Sequence, residues 1–286
     1  MELKVDITVI ILTYDEEVHI ERCIKNIIDW ANEVVVMDSF SKDKTVEIAE
    51  RLGAKVFYRE FDNYANQRNY ALKELPIENE WVFFLDADEY LTETLKAEIR
   101  ETLKYSSYEG YYIKRRFYFW GKWIKHGGYY PTWILRLFKR DKCYVDRAIN
   151  EHFNVEGNIG YLKNDFVDDN IKGINEWIIK HNKYASLEAE ELANFRNSKT
   201  SDLNNDFAKY WSSQAQRKRW IREKVWNPLL PPLVRPFIYF FYRYIIRLGF
   251  LDGKQGLIYH FLQGLWFQFI IDVKYLEMKL ESKDKS

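Results

Sequence analysis

Val9-Ile-Ile-Leu12-Thr13-Tyr-Asp15-Glu-Glu17 opens a unit that closes at Val34-Val-Val-Met37-Asp38. The apolar runs Val9–Leu12 and Val34–Met37 are too short for a buried helix and suit strands buried on both faces. Between them Ile20, Ile24, Ile27 and Ile28 recur at helical spacing over Glu16–Trp30, which leaves one apolar stripe to lie on a sheet. Strand, helix, strand in that order needs a crossover, and a crossover makes the strands parallel. Working outward, Val56–Tyr58 and Val82–Leu85 read as further buried strands, and Lys42–Leu52 reads as a second helix through Val46, Ala49 and Leu52. Helical stretches are also expected at Tyr64–Leu75, ended by Pro76, and at Thr92–Leu103, capped by Thr92. Residues 1–104 are therefore expected to form a doubly wound α/β half.

From Tyr105 to about Asn170 the text changes to aromatic-rich segments punctuated by glycine. Gly110-Tyr-Tyr-Ile-Lys and Trp133-Ile-Leu-Arg136-Leu-Phe138 alternate as antiparallel strands would. Residues 174–226 return to helical periodicity, and Pro228, Pro231, Pro232 and Pro236 then predict a hinge. Beyond it, Phe237–Phe250 and Leu257–Ile271 are strongly apolar yet carry Arg243, Arg247, His260, Gln263 and Gln268, so neither is a clean membrane span. Eight basic residues against one acidic between Arg217 and Arg247 give a net charge of +7. Cationic, aromatic, amphipathic helices of this kind lie in an anionic membrane surface; the alternative is a helical subdomain packed on the core or on a second copy. The expected division is 1–226, with halves 1–104 and 105–226, followed by an amphipathic helical extension over 227–286.

At 286 residues and 47% hydrophobic content the chain has material for one large core or a core with an appendage. Basic and acidic groups balance at 43 each, which gives the whole molecule no electrostatic case for nucleic acid. Cys23 and Cys143 have no metal-ligand spacing, and Met1–Ile7 lacks a basic signal region. A reducing, cytoplasmic setting without export is the expectation.

Asp86-Ala87-Asp88 directly follows the strand ending at Leu85. Two carboxylates at the carboxyl edge of a parallel sheet suit a hard divalent cation held against a diphosphate; taken alone, an acid-x-acid triplet is equally a solvated turn. Thr13-Tyr-Asp15-Glu16-Glu17 and Asp38-Ser-Phe-Ser-Lys-Asp43 sit after the first two strands in the same way, able to meet a base and ribose or simply to cap helices. Arg68 and Arg136 have the planar fork that suits phosphate oxygens.

Ile11-Leu-Thr13-Tyr-Asp15-Glu16-Glu17, Asp38-Ser-Phe-Ser-Lys-Asp-Lys-Thr45, Asn66-Gln-Arg68-Asn69 and Leu85-Asp86-Ala87-Asp88-Glu89, in this order and strand context, resemble the family 2 glycosyltransferases. More narrowly the chain resembles the bacterial branch related to the β-glucosyltransferases of lipopolysaccharide core assembly. The resemblance implies a GT-A fold, Rossmann-like and mostly parallel, and an inverting transfer from a nucleotide sugar, most readily a UDP-sugar. It implies Mg²⁺ or Mn²⁺ at Asp88 with Asp86, and a nucleotide-sugar pocket of Thr13, Asp15, Glu16, Asp38, Arg68, Asp86 and Ala87. The acceptor it implies is a lipid-linked or lipopolysaccharide glycan, reached by a peripheral enzyme at the inner face of the cytoplasmic membrane. Asp15 stands where the family usually has asparagine.

Inversion needs one general base on the acceptor side. Glu151, in Ala148-Ile-Asn-Glu151-His152-Phe153, is the candidate ahead of Asp146 and Asp141. Asp168 stands where relatives often have histidine, and with Arg136 it is a candidate acceptor or phosphate contact. Gln216-Arg-Lys-Arg219-Trp220 matches the Gln-x-x-Arg-Trp form of processive family members, although the basic run accounts for it equally well. A non-catalytic nucleotide-sugar-binding relative would keep the sheet yet has no need of both the Asp86/Asp88 pair and a base. A nucleotidyltransferase would carry a glycine-rich loop after the first strand, which Thr13–Glu17 is not.

Overall fold

The computed structural model describes residues 3–145, 153–197 and 230–284. The chain forms two compact units, residues 1–121 with 131–171 and residues 122–130 with 172–286.

The first unit is built on strands β1 (Val5–Thr13), β2 (Ala31–Asp38), β3 (Lys55–Tyr58), β4 (Trp81–Asp86), β5 (Glu89–Leu91), β6 (Gly110–Phe119), β7 (Thr132–Lys139), β8 (Cys143–Val145), β9 (Phe153–Val155) and β10 (Ile159–Asp169). Helices α1 (Glu17–Ile27), α2 (Thr45–Arg51), α3 (Tyr64–Lys73) and α4 (Glu93–Leu103) lie between the early strands. The main sheet runs β3-β2-β1-β4-β7-β6-β10-β5, and β8 and β9 form a separate hairpin. As expected, β1, β2, β3 and β4 are parallel. The apolar runs are continuous because both faces are covered. Val9, Ile11, Val34, Val36, Phe83 and Leu85 pack with Ile20, Ile24 and Ile27 of α1 and with Leu95 and Ile99 of α4. The alternate residues Ile10, Val35, Met37, Val82 and Phe84 pack with Ala71, Leu72 and Leu75.

The antiparallel reading of the middle region holds for β6 with β7, where Ile113 faces Ile134. It fails for β10, which runs parallel to β6. The cause is topological: the chain reverses between β7 and β10, so β10 enters the far side of β6 in the same direction. The short strand β5 was not expected either, and it pairs antiparallel with β10 through Glu89 and Asp168.

In the second unit α5 (Ile174–Asn197) meets α8 (Phe267–Asp284), where Ala185, Ala189 and Leu192 admit Phe267, Ile271 and Tyr275. Between them lie α6 (Arg235–Phe241), with Pro236 in its first turn, and α7 (Gly253–His260). The expected helix over Phe237–Phe250 is interrupted, because α6 widens into a π-helical turn at Tyr242–Ile246 and Leu248 turns left-handed at φ 61°. The expected helix Leu257–Ile271 is spread over α7, a π-helical turn at Phe261–Trp266, and α8. Among the described residues no helix is long and apolar enough to cross a membrane. The Gln216–Trp220 stretch and Pro228 lie outside the described residues.

Candidate active site

Strand register assembles the site. Thr13 stands opposite Asp38 across β1 and β2, and Leu12 stands opposite Asp86 across β1 and β4. Three polar strand ends thus reach one carboxyl edge, where a parallel sheet leaves a crevice. Thr13 Oγ1 donates to Asp38 Oδ2 at 2.8 Å, and Ser41 donates to the same carboxylate through its backbone N (2.7 Å) and its Oγ (2.5 Å). Ser41 Oγ in turn accepts from the Asp15 backbone N at 2.8 Å, and Asp15 Oδ1 accepts from Lys42 N at 2.8 Å. The fully buried Asp38 and the more exposed Asp15 therefore lace the loops after β1 and β2 together.

Asp15 sits at φ 52°, in the left-handed region that aspartate and asparagine tolerate better than most side chains. That accounts for aspartate where the resembled family has asparagine, since both fit the backbone and both offer an oxygen to Lys42 N. Asp15→Asn is expected to unfold within about 0.5 kcal/mol of wild type, and Asp15→Ala to lose about 1–2 kcal/mol in urea unfolding.

At the end of β4 the charges interlock. Arg136, buried on β7, donates from Nη2 to Asp86 Oδ2 at 2.7 Å and to Glu89 Oε1 at 2.7 Å. Glu89 Oε2 accepts from the Asp86 backbone N at 2.9 Å. Burial pushes the Glu89 carboxyl well above the usual carboxylate range; Arg136 works against this, and the charges of Asp86, Asp168 and Asp88 add to it. Burial also opposes the charge on Arg136, but Asp86 and Glu89 outweigh it and hold the guanidinium protonated. On the other side Arg68, buried on α3, brings Nη2 to 3.9 Å from Asp86 Oδ1 and lies over the rings of Tyr64 and Phe153.

Asp88 accepts from Asn170 Nδ2 at 2.9 Å, and its carbonyl accepts from Arg22 Nη2 at 3.1 Å. Arg22 also pairs with Asp169 at 2.8 Å, and Asp168 pairs with Arg115 at 3.0 Å. Glu16 receives His19: the Ile171 N–H donates to Nε2 at 2.9 Å, so Nδ1 carries the proton that it shares with Glu16 Oε2 at 2.7 Å. The structure thus gathers Asp86, Asp88, Arg68, Arg136 and Asp168 around the end of β4, and Thr13, Asp15, Glu16 and Asp38 along the adjoining loops. Ala87 is buried between the two aspartates. Glu151, with Asp146 and His152, lies outside the described residues.

Sequence reasoning passed over Glu89, His19, Arg22 and Arg115. Glu89 was visible as the third acid of Asp86-Ala-Asp88-Glu89, whereas the other three depend on partners far along the chain.

Among the described residues no three His, Cys, Asp or Glu side chains converge as a complete metal cage. The donors present nonetheless fit Mg²⁺ or Mn²⁺. Asp86 and Asp88 are part-exposed carboxylates one residue apart at the crevice edge, and such ions use one or two protein carboxylates, filling the rest of their sphere with water and substrate phosphate.

The sequence model of glycosyl transferase family 2 matches residues 8–168, more than half of the chain. An uncharacterized glycosyltransferase of Rickettsia bellii is 44% identical over 93 residues, which are 32% of this chain and 31% of that protein. The SPbeta prophage-derived glycosyltransferase SunS of Bacillus subtilis is 32% identical over 101 residues, 34% of this chain and 24% of that protein. The matched stretches span about a third or less of each of these relatives. Among solved structures, S. aureus TarS 1-349 in complex with UDP-GlcNAc shares 18% identity, with 96% of this chain and 92% of that chain covered and a TM-score of 0.49.

Proposed function

This chain belongs to glycosyl transferase family 2 and has a GT-A fold, and from that premise we propose that it transfers a hexose, with inversion, from a UDP-sugar to a cell-envelope glycan. The acceptor in this reading is lipid-linked or a lipopolysaccharide core, as for the β-glucosyltransferases of that branch. The observation that carries the proposal is the meeting of Thr13, Asp38 and Asp86 at one carboxyl edge, with Asp88 beside them.

Thr13, Asp15, Glu16 and Asp38 shape the base and ribose pocket, and Arg68 faces the diphosphate. Asp88 with Asp86 would hold Mg²⁺ or Mn²⁺, which would supply positive charge where the departing diphosphate gathers negative charge. Arg136 fixes the Asp86 carboxylate, and Asp168 with Arg115 balances charge on the acceptor side. Glu151 takes the proton of the attacking hydroxyl as its oxygen bonds to the anomeric carbon; the bond from that carbon to the diphosphate breaks and its electron pair leaves with the nucleotide. Residues 1–226 are assigned to the transferase and 227–286 to association with the inner face of the cytoplasmic membrane.

Glu151→Gln tests the assignment of the base. Donor affinity, measured by calorimetry, is expected to stay unchanged while sugar transfer to an envelope extract falls roughly 10²–10⁴-fold. A fully active variant would move the role to Asp146 or Asp168.

A further inference from the structure

The segment from Val234 to Leu251 distributes its residues the wrong way round for water. Every exposed residue in it is apolar or aromatic except Arg247. Phe237 and Phe241 are each 56% exposed, Ile246 59% and Leu251 54%. Positions 234, 237, 238, 241, 242 and 245 recur at helical spacing, so they form one stripe, which a helix in water turns inward.

What this segment turns inward includes charge. Arg235 and Arg243 are buried. Arg235 donates through Nε at 2.7 Å, and through Nη2, to Asp272, which is 0% exposed and also accepts from Leu233 N at 2.8 Å. Arg243 donates to the Gly127 carbonyl (2.7 Å) and to the hydroxyls of Tyr129 (2.9 Å) and Tyr239 (3.0 Å), with its guanidinium 3.7 Å from the Tyr129 ring centre. The backbone N and Nδ1 of His126 both reach buried Asp252, at 2.9 and 2.7 Å. Buried arginines hydrogen-bonded within the protein, beneath an outer face of bare hydrocarbon, are what lipid demands of a surface it solvates.

Arg235 and Arg243 belong to the basic run that makes the segment look cationic, yet both are engaged inside. Arg217, Lys218, Arg219, Arg222 and Lys224 lie outside the described residues. What the described part offers a membrane is apolar area.

We propose that Val234–Leu251 is a monotopic plate that sinks sideways into the acyl chains of one leaflet, with the exposed Arg247 and Lys254 reaching back to lipid phosphate. The inference deepens the membrane part of the proposed function and rests on it. The plate lies in one leaflet because the twelve residues Arg235–Ile246 extend at most about 18 Å, against a hydrocarbon core of about 30 Å. A second copy of the chain fits less well. Protein interfaces carry roughly one hydrogen bond per 100–200 Å², and this stripe offers little beyond the Tyr242 hydroxyl and Arg247.

The test floats the full chain with uncharged phosphatidylcholine vesicles, in low and then high salt. Binding is expected on these vesicles and is expected to survive high salt. Phe241→Glu combined with Ile245→Glu is expected to lower it by about tenfold or more. An Ile245→Cys variant carrying a polarity-sensitive dye, directed there because Cys23 and Cys143 are buried, is expected to shift to the blue on vesicles and to be quenched by acyl-chain spin labels. Binding confined to anionic vesicles, abolished by salt and indifferent to the double variant, would overturn the plate and leave a charge-driven surface contact standing. A dimer whose dye is already shielded before vesicles are added would assign the face to a second copy, and so would overturn it too. Donor hydrolysis by the double variant in solution is the fold control: where it is retained, that variant's loss of vesicle binding belongs to the plate, whereas failure of the unaltered chain to bind vesicles counts against the plate and not against the transferase.

Discussion

Asp88→Ala is expected to reduce nucleotide release from the donor by at least about a thousandfold, with the fold intact. Removing one electrostatic stabiliser of a developing anion costs roughly 10²–10³ in rate, and Asp88 carries the metal as well in this account. The structural cost is small by comparison. Asp88 is part-exposed, and its carboxylate accepts from the exposed Asn170 amide, which solvent can satisfy instead. The backbone carbonyl that receives Arg22 survives the substitution. Thermal unfolding should therefore move little while turnover disappears, and chelation of the wild-type protein should reproduce the loss. A variant that still releases nucleotide at the wild-type rate would remove Asp88 from the chemistry.

Arg136→Leu should show the opposite signature, a loss of stability by about 3–5 kcal/mol in urea unfolding. Arg136 stands between Asp86 and Glu89 and is itself buried. Deleting it leaves Glu89, already pushed upward by burial and neighbouring acids, without its cation. Breaking a buried pair by removing one partner is costly, whereas replacing both partners with apolar groups is much less so. Arg136→Leu with Glu89→Leu should therefore recover a large part of the loss, a coupling that a double-mutant cycle reads directly. If the single variant loses under about 1 kcal/mol, or the double variant fares worse than the sum of the two singles, the guanidinium is not what holds that carboxylate in place.

The first four strands and their helices were legible because each carries a period of its own. Ile20, Ile24 and Ile27 announce a helix face, and Val9–Leu12 announces a strand buried on both sides. The edge residues followed from those elements, since whatever succeeds a parallel strand reaches the crevice. The parallel run of β10 beside β6 was not legible, because direction depends on how the chain returns after β7. Arg22 meets Asp169, and Ile171 meets His19, across separations of 147 and 152 residues, which no local pattern encodes. The basic count between Arg217 and Arg247 misled in a different way. Composition registers Arg235 and Arg243 as surface charge, while packing against Asp272 and Tyr129 makes them interior groups.

In the proposed function the edge formed by Thr13, Asp38, Asp86 and Asp88 binds a nucleotide sugar with a divalent cation and activates it. The most direct measurement is nucleotide release, without acceptor, from a panel of UDP-, GDP- and dTDP-hexoses in Mn²⁺ or Mg²⁺ and again after EDTA. Slow release from a UDP-sugar, stopping on chelation, is the expected result. Silence across the panel together with no donor binding by calorimetry, or release that continues undiminished in EDTA, would contradict it.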